Sequence, residues 1–323
     1  MTGTRGRVRA ALVAWNRFWF EPTDTTPLAL FRIAFGVVAT LWTLSHLPDL
    51  FTFLGPNGVL PSPRPLESWQ WGLLNLNSSV LAVSVVWLAT LLAAVALTVG
   101  RRPRLAAAIV FVGILSIERR NSYVLNNGDD LLRYLAFYLM LAPSGAALSL
   151  DRWRRDRASF WTAELRAPWA LRLLQIQLSL IYVSTVWAKL QGDTWRNGTA
   201  VTYALRVQDI TRFPPPDALL GSVVVSEWLT FGTLLLELSL GVLVWNRRAR
   251  PYVIALGVLM HLLIAVGVIV GFFSAGMLCL YLVFLSPEAA RRVIMWFRGR
   301  LSRARGRPLP IRDETGETVA RST

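Results

Sequence analysis

The sequence has few charged residues for its length. Only 16% of its 323 residues are Asp, Glu, Lys or Arg, whereas soluble domains carry roughly 25%. Hydrophobic residues make up 54% of the chain and form long apolar runs. A chain of this composition does not divide into two soluble domains, and we expect it to place its helices in a lipid bilayer.

Histidine, cysteine and lysine are also scarce. The chain has two histidines and neither an HExxH nor a CxxC pattern, so we expect no bound metal. The single cysteine, Cys279, lies in an apolar run and cannot form an intrachain disulfide. It therefore does not indicate whether the protein is exposed to an oxidising or a reducing compartment. Only one of the 34 basic residues, Lys189, is a lysine.

The net charge of +15 does not indicate a nucleic-acid partner. The basic residues are not gathered in one run but are scattered between the apolar segments. This distribution is typical of a membrane protein with basic cytoplasmic loops. We therefore expect the lipid bilayer as the partner of the chain, and no nucleic acid.

The apolar runs predict an all-α integral membrane protein, a polytopic bundle of about eight transmembrane helices of roughly 20 residues each. The predicted spans are residues 28–48, 79–99, 105–124, 131–150, 169–189, 227–245, 252–270 and 272–287. The last two share one apolar run that is too long for a single span, and the stretch Gly271–Ser274 is the expected hairpin between them. The transmembrane domain covers residues 28–290.

Two basic segments flank this domain. Residues 1–27 form a basic N-terminus, in which the aromatic segment 14–20 is expected to lie at the membrane interface. Residues 291–323 form a basic tail that we expect to be disordered. The chain ends and every second loop hold 24 arginines, against 6 in the alternate loops. This asymmetry predicts a multi-pass protein of the cell (plasma) membrane with both termini in the cytoplasm.

Ionisable side chains inside a bilayer are costly, so each one marks a candidate functional position. In the predicted spans these residues are Arg32, His46, Arg133, Lys189, Glu237 and His261, with Asp129 and Asp130 at an outer helix end. For Arg32 we expect a structural pair or a side chain that snorkels to the interface. For His46 we expect a hydrated position at the interface.

Lys189 ends a polar stripe on the fifth predicted span. Gln175, Ser179, Tyr182 and Lys189 fall within about 80° of one another on a helix. Such a stripe faces a cavity or the bundle interior, and lysine, unlike arginine, can lose its proton there and serve as a general base. The alternative is a lysine that snorkels at a helix end.

Glu237 and His261 lie near the middle of the sixth and seventh predicted spans. A carboxylate at that depth needs a partner or a proton. Both side chains are candidates for a functional site, for a proton relay, or for buried hydrogen bonds between helices.

Four groups of short motifs resemble a known family. They are Phe20–Pro22 with Pro27–Ile33 and Gly55–Gly58; Asn126–Gly128 with Ser149–Asp151; Trp187–Leu190 with Trp195 and Gly198; and His261 with Gly271–Met277 and Ser286–Glu288. In their order and spacing they resemble the bacterial HTTM (horizontally transferred transmembrane) proteins and the membrane domain of vitamin K-dependent gamma-carboxylase.

The resemblance implies a quinol-handling membrane core. In the animal enzyme a lysine in the position of Lys189 deprotonates vitamin K hydroquinone, which then reacts with oxygen to give an epoxide and a strong base. His261 matches a histidine that belongs to the functional residues of the same enzyme. Glu237 is expected to tune proton transfer in the site or to relay protons. Tyr182 and Trp195 are then the candidates to contact a membrane quinol, either menaquinol or a vitamin K-like compound.

The chain departs from the animal enzyme at two points. Gly128 stands where that enzyme has a further functional histidine, and a short basic tail stands where it has a large lumenal domain that binds substrate polypeptides. An alternative function is therefore non-catalytic: maturation, export or immunity of a secreted peptide, with that peptide or a thioredoxin-like protein as partner. A transporter is the third alternative, but we find no internal repeat to support it.

Overall fold

The computed structural model describes residues 4–62, 67, 70–124 and 126–304. The chain divides into two compact units, Met1–Phe284 and Leu285–Thr323. The helices of the first unit are α1 (Thr4–Phe20), α2 (Thr26–Ser45), α3 (Leu50–Leu54), α4 (Leu73–Leu76), α5 (Val80–Val99), α6 (Pro103–Arg120), α7 (Asn127–Leu141), α8 (Leu150–Arg155), α9 (Trp169–Lys189), α10 (Asp193–Arg196), α11 (Ala200–Arg206), α12 (Asp217–Leu220), α13 (Val223–Val242), α14 (Arg250–Gly267) and α15 (Phe273–Tyr281). The second unit contains α16 (Pro287–Ala304).

Several of these helices have the length and composition of membrane spans. In the part of the chain that the structure describes, five pass both requirements: α2, α5, α9, α14, and α13 extended by a 3₁₀ turn to Trp245. The helical segments Phe273–Phe284 and Pro287–Arg300 would together count as a sixth. The prediction of an all-helical, multi-pass membrane protein is thereby confirmed in its main part.

The other predicted spans also coincide with helices, but these are shorter or more polar. Helix α6 has 18 residues and ends in the charged residues Glu118, Arg119 and Arg120. Helix α7 has 15 residues and α15 has nine. The predicted hairpin at Gly271–Ser274 falls where α14 has ended and α15 begins, and Gly271 has a positive φ of 57°. The count of eight spans stays a prediction.

A short two-stranded sheet connects the segment that precedes α2 with the segment that precedes α9. Strand β1 (Thr23–Asp24) pairs antiparallel with β2 (Leu165–Arg166). The hydroxyl of Thr25 donates to the Glu164 carbonyl over 3.0 Å. The start of α2 is therefore fixed beside the start of α9, although 139 residues separate the two bonded positions. The prediction of an all-α chain omitted this sheet.

The first half of the bundle packs α2, α5, α6 and α7 against one another. Phe31, Phe35 and Trp42 of α2 are almost completely buried there. The Trp42 indole N–H donates to the carboxylate of Asp129 over 2.7 Å, which connects α2 to the first turn of α7. Because lipid tails are as apolar as these side chains, close packing and hydrogen bonds between helices provide the stability.

Arg32 is fully buried in this half of the bundle. Its guanidinium donates to the backbone carbonyls of Ser144 and Leu148 over 2.9 and 2.6 Å. These carbonyls belong to the irregular segment between α7 and α8, where no helix or strand satisfies them. Of the two alternatives expected for Arg32, a structural pair and a side chain that snorkels, the structure supports the structural role, with carbonyl oxygens as partners.

Helix α1 includes the aromatic segment 14–20 that precedes the first span. Its C-terminal end contacts α9, because the Arg172 guanidinium lies 4.7 Å from the centre of the Phe18 ring and donates to the Phe18 carbonyl over 3.2 Å. The interfacial position of this segment stays a prediction.

Helix α16 corrects the expectation of a disordered segment at 291–323. Residues up to Ala304 are helical, and residues 305–323 lie outside the described residues. The helix begins with a clear N-terminal signal: the Ser286 hydroxyl accepts from the Ala289 amide, Pro287 is the first helical residue, and Glu288 lies in the first turn. This signal was visible in the sequence.

The burial of Arg32 generates a prediction about stability. In an Arg32→Met variant, the carbonyls of Ser144 and Leu148 lose their donors inside the bundle, and we expect the free energy of unfolding to fall by about 2–4 kcal/mol. Denaturant titration of the purified protein in detergent measures this change. Arg248→Met, at an exposed arginine, is the control and should change stability by less than about 0.5 kcal/mol. Equal losses in both variants would contradict the structural role of Arg32.

Candidate functional site

The second half of the bundle brings α9, α13, α14 and α15 together. Helix α9 presents Tyr182 and Lys189 from its polar stripe, α13 supplies Glu237, and α14 supplies His261. Close approach of α14 and α15 depends on Gly257, because a Cβ atom at this position would lie 2.5 Å from the Tyr281 hydroxyl. Four helices therefore contribute polar side chains to one region.

Lys189 and Glu237 form an ion pair between α9 and α13. The Lys189 Nζ lies 2.5 Å from the Glu237 Oε1. Only 20% of the lysine side chain and 10% of the glutamate side chain are exposed. The Lys189 ammonium also lies 4.5 Å from the centre of the Trp195 ring, on α10. The lysine is thus held by a carboxylate and an aromatic face and does not simply snorkel at a helix end.

Tyr182, His261 and Tyr281 form a second group of hydrogen-bonded side chains. The Tyr182 hydroxyl lies 2.8 Å from His261 Nε2 and also hydrogen-bonds to the Tyr281 hydroxyl. All three residues are almost fully buried. Since each hydroxyl has one proton, the direction of this short chain is set by the tautomer of His261.

The two groups lie close enough to interact electrostatically. The Glu237 carboxylate acts on both Tyr182 and Tyr281, and the Lys189 charge acts on His261. The ring of Phe273, whose centre is 5.8 Å from that of His261, adds an apolar wall. In such surroundings charges and hydrogen bonds act more strongly than in water.

Two buried polar atoms in the site lack a hydrogen-bond partner among the described residues. They are the Glu237 Oε2 and the His261 Nδ1. A buried polar atom without a partner is costly, and in native proteins it calls for a ligand, a water molecule or a catalytic role. The site can therefore accept a hydrogen bond from a ligand at Glu237 and exchange one at His261.

The structure thus brings together all five predicted site residues: Lys189, Glu237, His261, Tyr182 and Trp195. Their catalytic and quinol-binding roles stay predictions. The remaining stripe residues have structural partners: Ser179 accepts from the Trp245 indole, and Gln175 donates to the Val283 carbonyl.

Tyr281 is a site residue that the sequence-based prediction missed. It is uncharged at neutral pH and lies in an apolar run, so neither a charge nor a histidine marks this position in the sequence. The available signal was its hydroxyl, since a tyrosine inside a span also needs a hydrogen-bond partner.

A separate charged cluster lies between α6 and α7. Arg133 forms ion pairs with the buried Glu118 and, over 2.5 Å, with Asp130. Glu118 was not among the predicted polar positions, although it falls in the third predicted span.

His46 is half-buried, with its Nδ1 2.8 Å from the Trp42 carbonyl. None of these side chains joins the Lys189 site through a described contact.

No group of three His, Cys, Asp or Glu side chains with metal-binding geometry occurs in the described parts of the chain.

Comparison with models of known protein families gives a match. The model of the HTTM domain matches residues 20–288, which is most of the chain. No curated protein and no solved structure matches the sequence. The match includes every helix that contributes to the Lys189 site. The chain therefore belongs to the HTTM domain family and is a multi-pass membrane protein related to gamma-carboxylase.

Proposed function

We propose that this protein is a membrane enzyme that removes a proton from a reduced lipid quinol, with Lys189 as the base. The observation that carries the proposal is the ion pair of Lys189 and Glu237, which is largely buried and adjoins the hydrogen-bonded group of Tyr182 and His261. A buried ion pair alone is weak evidence for a contribution to stability. A buried lysine next to hydrogen-bonding atoms without partners is a candidate for proton transfer.

The side chains present fit a quinol. Glu237 Oε2 and His261 Nδ1 offer two free hydrogen-bonding atoms, while Trp195 and Phe273 offer aromatic surface. A reduced menaquinol or vitamin K-like quinol supplies ionisable ring hydroxyls and the electrons for a reaction with oxygen. Its apolar tail matches a site between helices of a membrane protein.

In this proposal the Lys189 ammonium of the ion pair first passes a proton to the Glu237 carboxylate, and the neutral amine then accepts a proton from the quinol at Nζ. This step is open to lysine, because an ammonium group can lose a proton in a protein, and closed to arginine. The ammonium that results lies 2.5 Å from Glu237, which stabilises the new charge as a carboxylate once it has released the first proton. Glu237 thereby makes proton uptake by Lys189 more favourable and can pass the proton on afterwards.

Tyr182 and His261 orient the ligand in this proposal. The His261 Nε2 is occupied by the Tyr182 hydroxyl, so the free Nδ1 is the ring atom that can meet a ligand. Tyr281 fixes the Tyr182 hydroxyl from the other side. The three side chains thus form a preorganised hydrogen-bonding group.

We further propose eight spans with both termini in the cytoplasm of a cell whose plasma membrane holds the protein. The arginine asymmetry of the loops supports this arrangement. Lys189 then lies near the outer end of its span, where a quinol dissolved in the membrane can reach it.

Labelling in intact cells tests this orientation. In a Cys279→Ala background, Asp209→Cys should react with a membrane-impermeant maleimide before lysis, because it lies in an outer loop. Arg248→Cys should react only after lysis. Both positions are exposed in the structure, so accessibility within the fold is matched. Reaction of both cysteines on the same side would overturn the proposed orientation.

The catalytic role of Lys189 is tested by turnover. Purified protein in nanodiscs with menaquinol and oxygen should form an oxidised or epoxidised product, measured by chromatography. We expect both Lys189→Ala and Lys189→Arg to lower the rate about 10²–10⁴-fold, because neither side chain can serve as the base. Gln191→Ala, an exposed neighbour, should leave the rate unchanged.

The Lys189→Arg variant also separates the catalytic function from the non-catalytic alternative. Arginine keeps the positive charge beside Glu237, so a role limited to holding the fold for a secreted peptide or a thioredoxin-like partner should survive this substitution. Absence of turnover by the unaltered protein, or equal turnover by Lys189→Arg, would refute the lysine base.

The hydroxyl of Tyr182 has a separate test. Tyr182→Phe keeps the ring but removes two buried hydrogen bonds, so we expect the free energy of unfolding to fall by about 1–2 kcal/mol. Tyr252→Phe, at an exposed tyrosine of α14, is the matched control and should have no measurable effect. Denaturant titration in detergent gives both values, and a loss no larger than that of the control would show that the hydroxyl contributes nothing.

A further inference from the structure

A second, basic cleft lies at the opposite end of α9 from Lys189. It has a volume of about 840 Å³ and is bounded by the N-terminal ends of α6 and α9 and by α8, with Trp169 among its lining residues. Helix α9 has 21 residues, so a rise of about 1.5 Å per residue separates its two ends by roughly 30 Å. The cleft is therefore distinct from the Lys189 site.

The lining of the cleft is rich in arginine. Its charged residues are Arg102, Arg104, Arg152, Arg155, Arg166, Asp151 and Glu164. Arg152 and Arg166 share one carboxylate, because both form ion pairs with Glu164. Five arginines against two carboxylates leave the cleft with a net charge of +3, and Arg102, Arg104 and Arg155 are the arginines that Glu164 does not pair with.

Those three arginines retain donors for a ligand. Within the described part of the chain, the Arg102 and Arg155 guanidinium groups make no hydrogen bond or ion pair, and Arg104 uses only its Nε, which donates to the Ala142 carbonyl over 3.3 Å. Guanidinium groups bind phosphate oxygens through paired, charge-assisted hydrogen bonds. The cleft thus has the chemistry of a phosphate site.

Arg102 also has an unusual backbone conformation. Its φ of 43° and ψ of 55° are left-handed, which residues other than glycine rarely adopt. The Asp151 carboxylate accepts the Arg102 backbone N–H over 2.7 Å and holds this turn in place. A residue other than glycine in this conformation is a backbone outlier, and such outliers motivate a functional hypothesis at their position.

Apolar surface continues from the cleft along α6. Leu105 lines the cleft and is 54% exposed, and Ile109, one helical turn further, is 38% exposed. A free phosphate ion would leave this surface unused, whereas a lipid would place its headgroup among the arginines and an acyl chain along α6.

From these observations we infer that the cleft binds the phosphate headgroup of an anionic phospholipid. Arg102, Arg104 and Arg155 contact the phosphate, and one acyl chain lies along Leu105 and Ile109. The bound lipid stabilises the end of the bundle at which β1 and β2 pair. The inference does not depend on the proposed reaction at Lys189.

Native mass spectrometry of the full-length protein in detergent tests the site with phosphatidylglycerol as the probe and phosphatidylcholine as the neutral comparison. We expect one phosphatidylglycerol to bind in preference to phosphatidylcholine. The double variant Arg104→Gln with Arg155→Gln should lower the affinity for phosphatidylglycerol roughly 25-fold, or about 5-fold for each charge removed. If the double variant does not fold, the single variant Arg155→Gln, on the exposed surface of α8, can be used instead. We expect it to lower the affinity for phosphatidylglycerol about 5-fold.

The matched control is the double variant Arg101→Gln with Arg154→Gln. These exposed arginines adjoin the cleft residues in sequence but do not line the cleft, and the change in net charge is the same. We expect the affinity of this control variant for phosphatidylglycerol to change by less than about 3-fold. If the control lost as much affinity for phosphatidylglycerol, the effect would be a general attraction of the lipid to a basic surface, and the proposed site would be wrong.

A competition experiment distinguishes a lipid from a free phosphate compound. Soluble glycerol phosphate in large molar excess should not displace phosphatidylglycerol, because it lacks the acyl chain that contacts α6. Complete displacement by glycerol phosphate, or equal binding of phosphatidylcholine and phosphatidylglycerol, would overturn the assignment to an anionic lipid.

Discussion

The ion pair between Lys189 and Glu237 is the interaction on which the candidate site depends. Each partner alone would place a charge in a poorly hydrated region between helices, at a cost that only an opposite charge or a proton change can offset. The pair therefore fixes how α9 and α13 face each other. The short hydrogen-bonded chain of Tyr182, His261 and Tyr281 then connects the same region to α14 and α15.

The same requirement organises the rest of the bundle. Arg32 satisfies carbonyls of an irregular segment, Asp129 binds the Trp42 indole, and Arg133 pairs with Glu118. In each case a polar group inside the bundle is matched by a partner from a distant part of the sequence. Some buried atoms still lack a hydrogen-bond partner among the described residues, including Arg32 Nε and Glu118 Oε1. Those at Glu237 Oε2 and His261 Nδ1 differ in that they lie in the candidate site, where the proposed ligand would supply the missing partners.

The two sites occupy opposite ends of α9 and differ in character. The Lys189 site is largely buried, and its ion pair is balanced in charge, which are the surroundings of the proton transfer that we propose. The basic cleft is open and carries unpaired arginines, which suits an anionic headgroup at the membrane surface. Since β1 and β2 pair beside the cleft, a lipid bound there would support α9, the helix that carries Lys189.

The sequence by itself determined the membrane class, the approximate positions of the long helices between residues 28 and 290, and most of the polar residues there that needed partners, but it did not predict helix α16. These follow from local properties, namely the length of apolar runs and the cost of a charge within them. Tyr281 and Glu118 were missed, since an uncharged hydroxyl and a charge near a helix end give weak local signals. Only the tertiary structure decided that Lys189 meets Glu237, that Arg32 binds carbonyls, and that five arginines surround one cleft. Such pairings depend on how helices rotate and pack against one another, and apolar periodicity alone does not specify this in a bilayer.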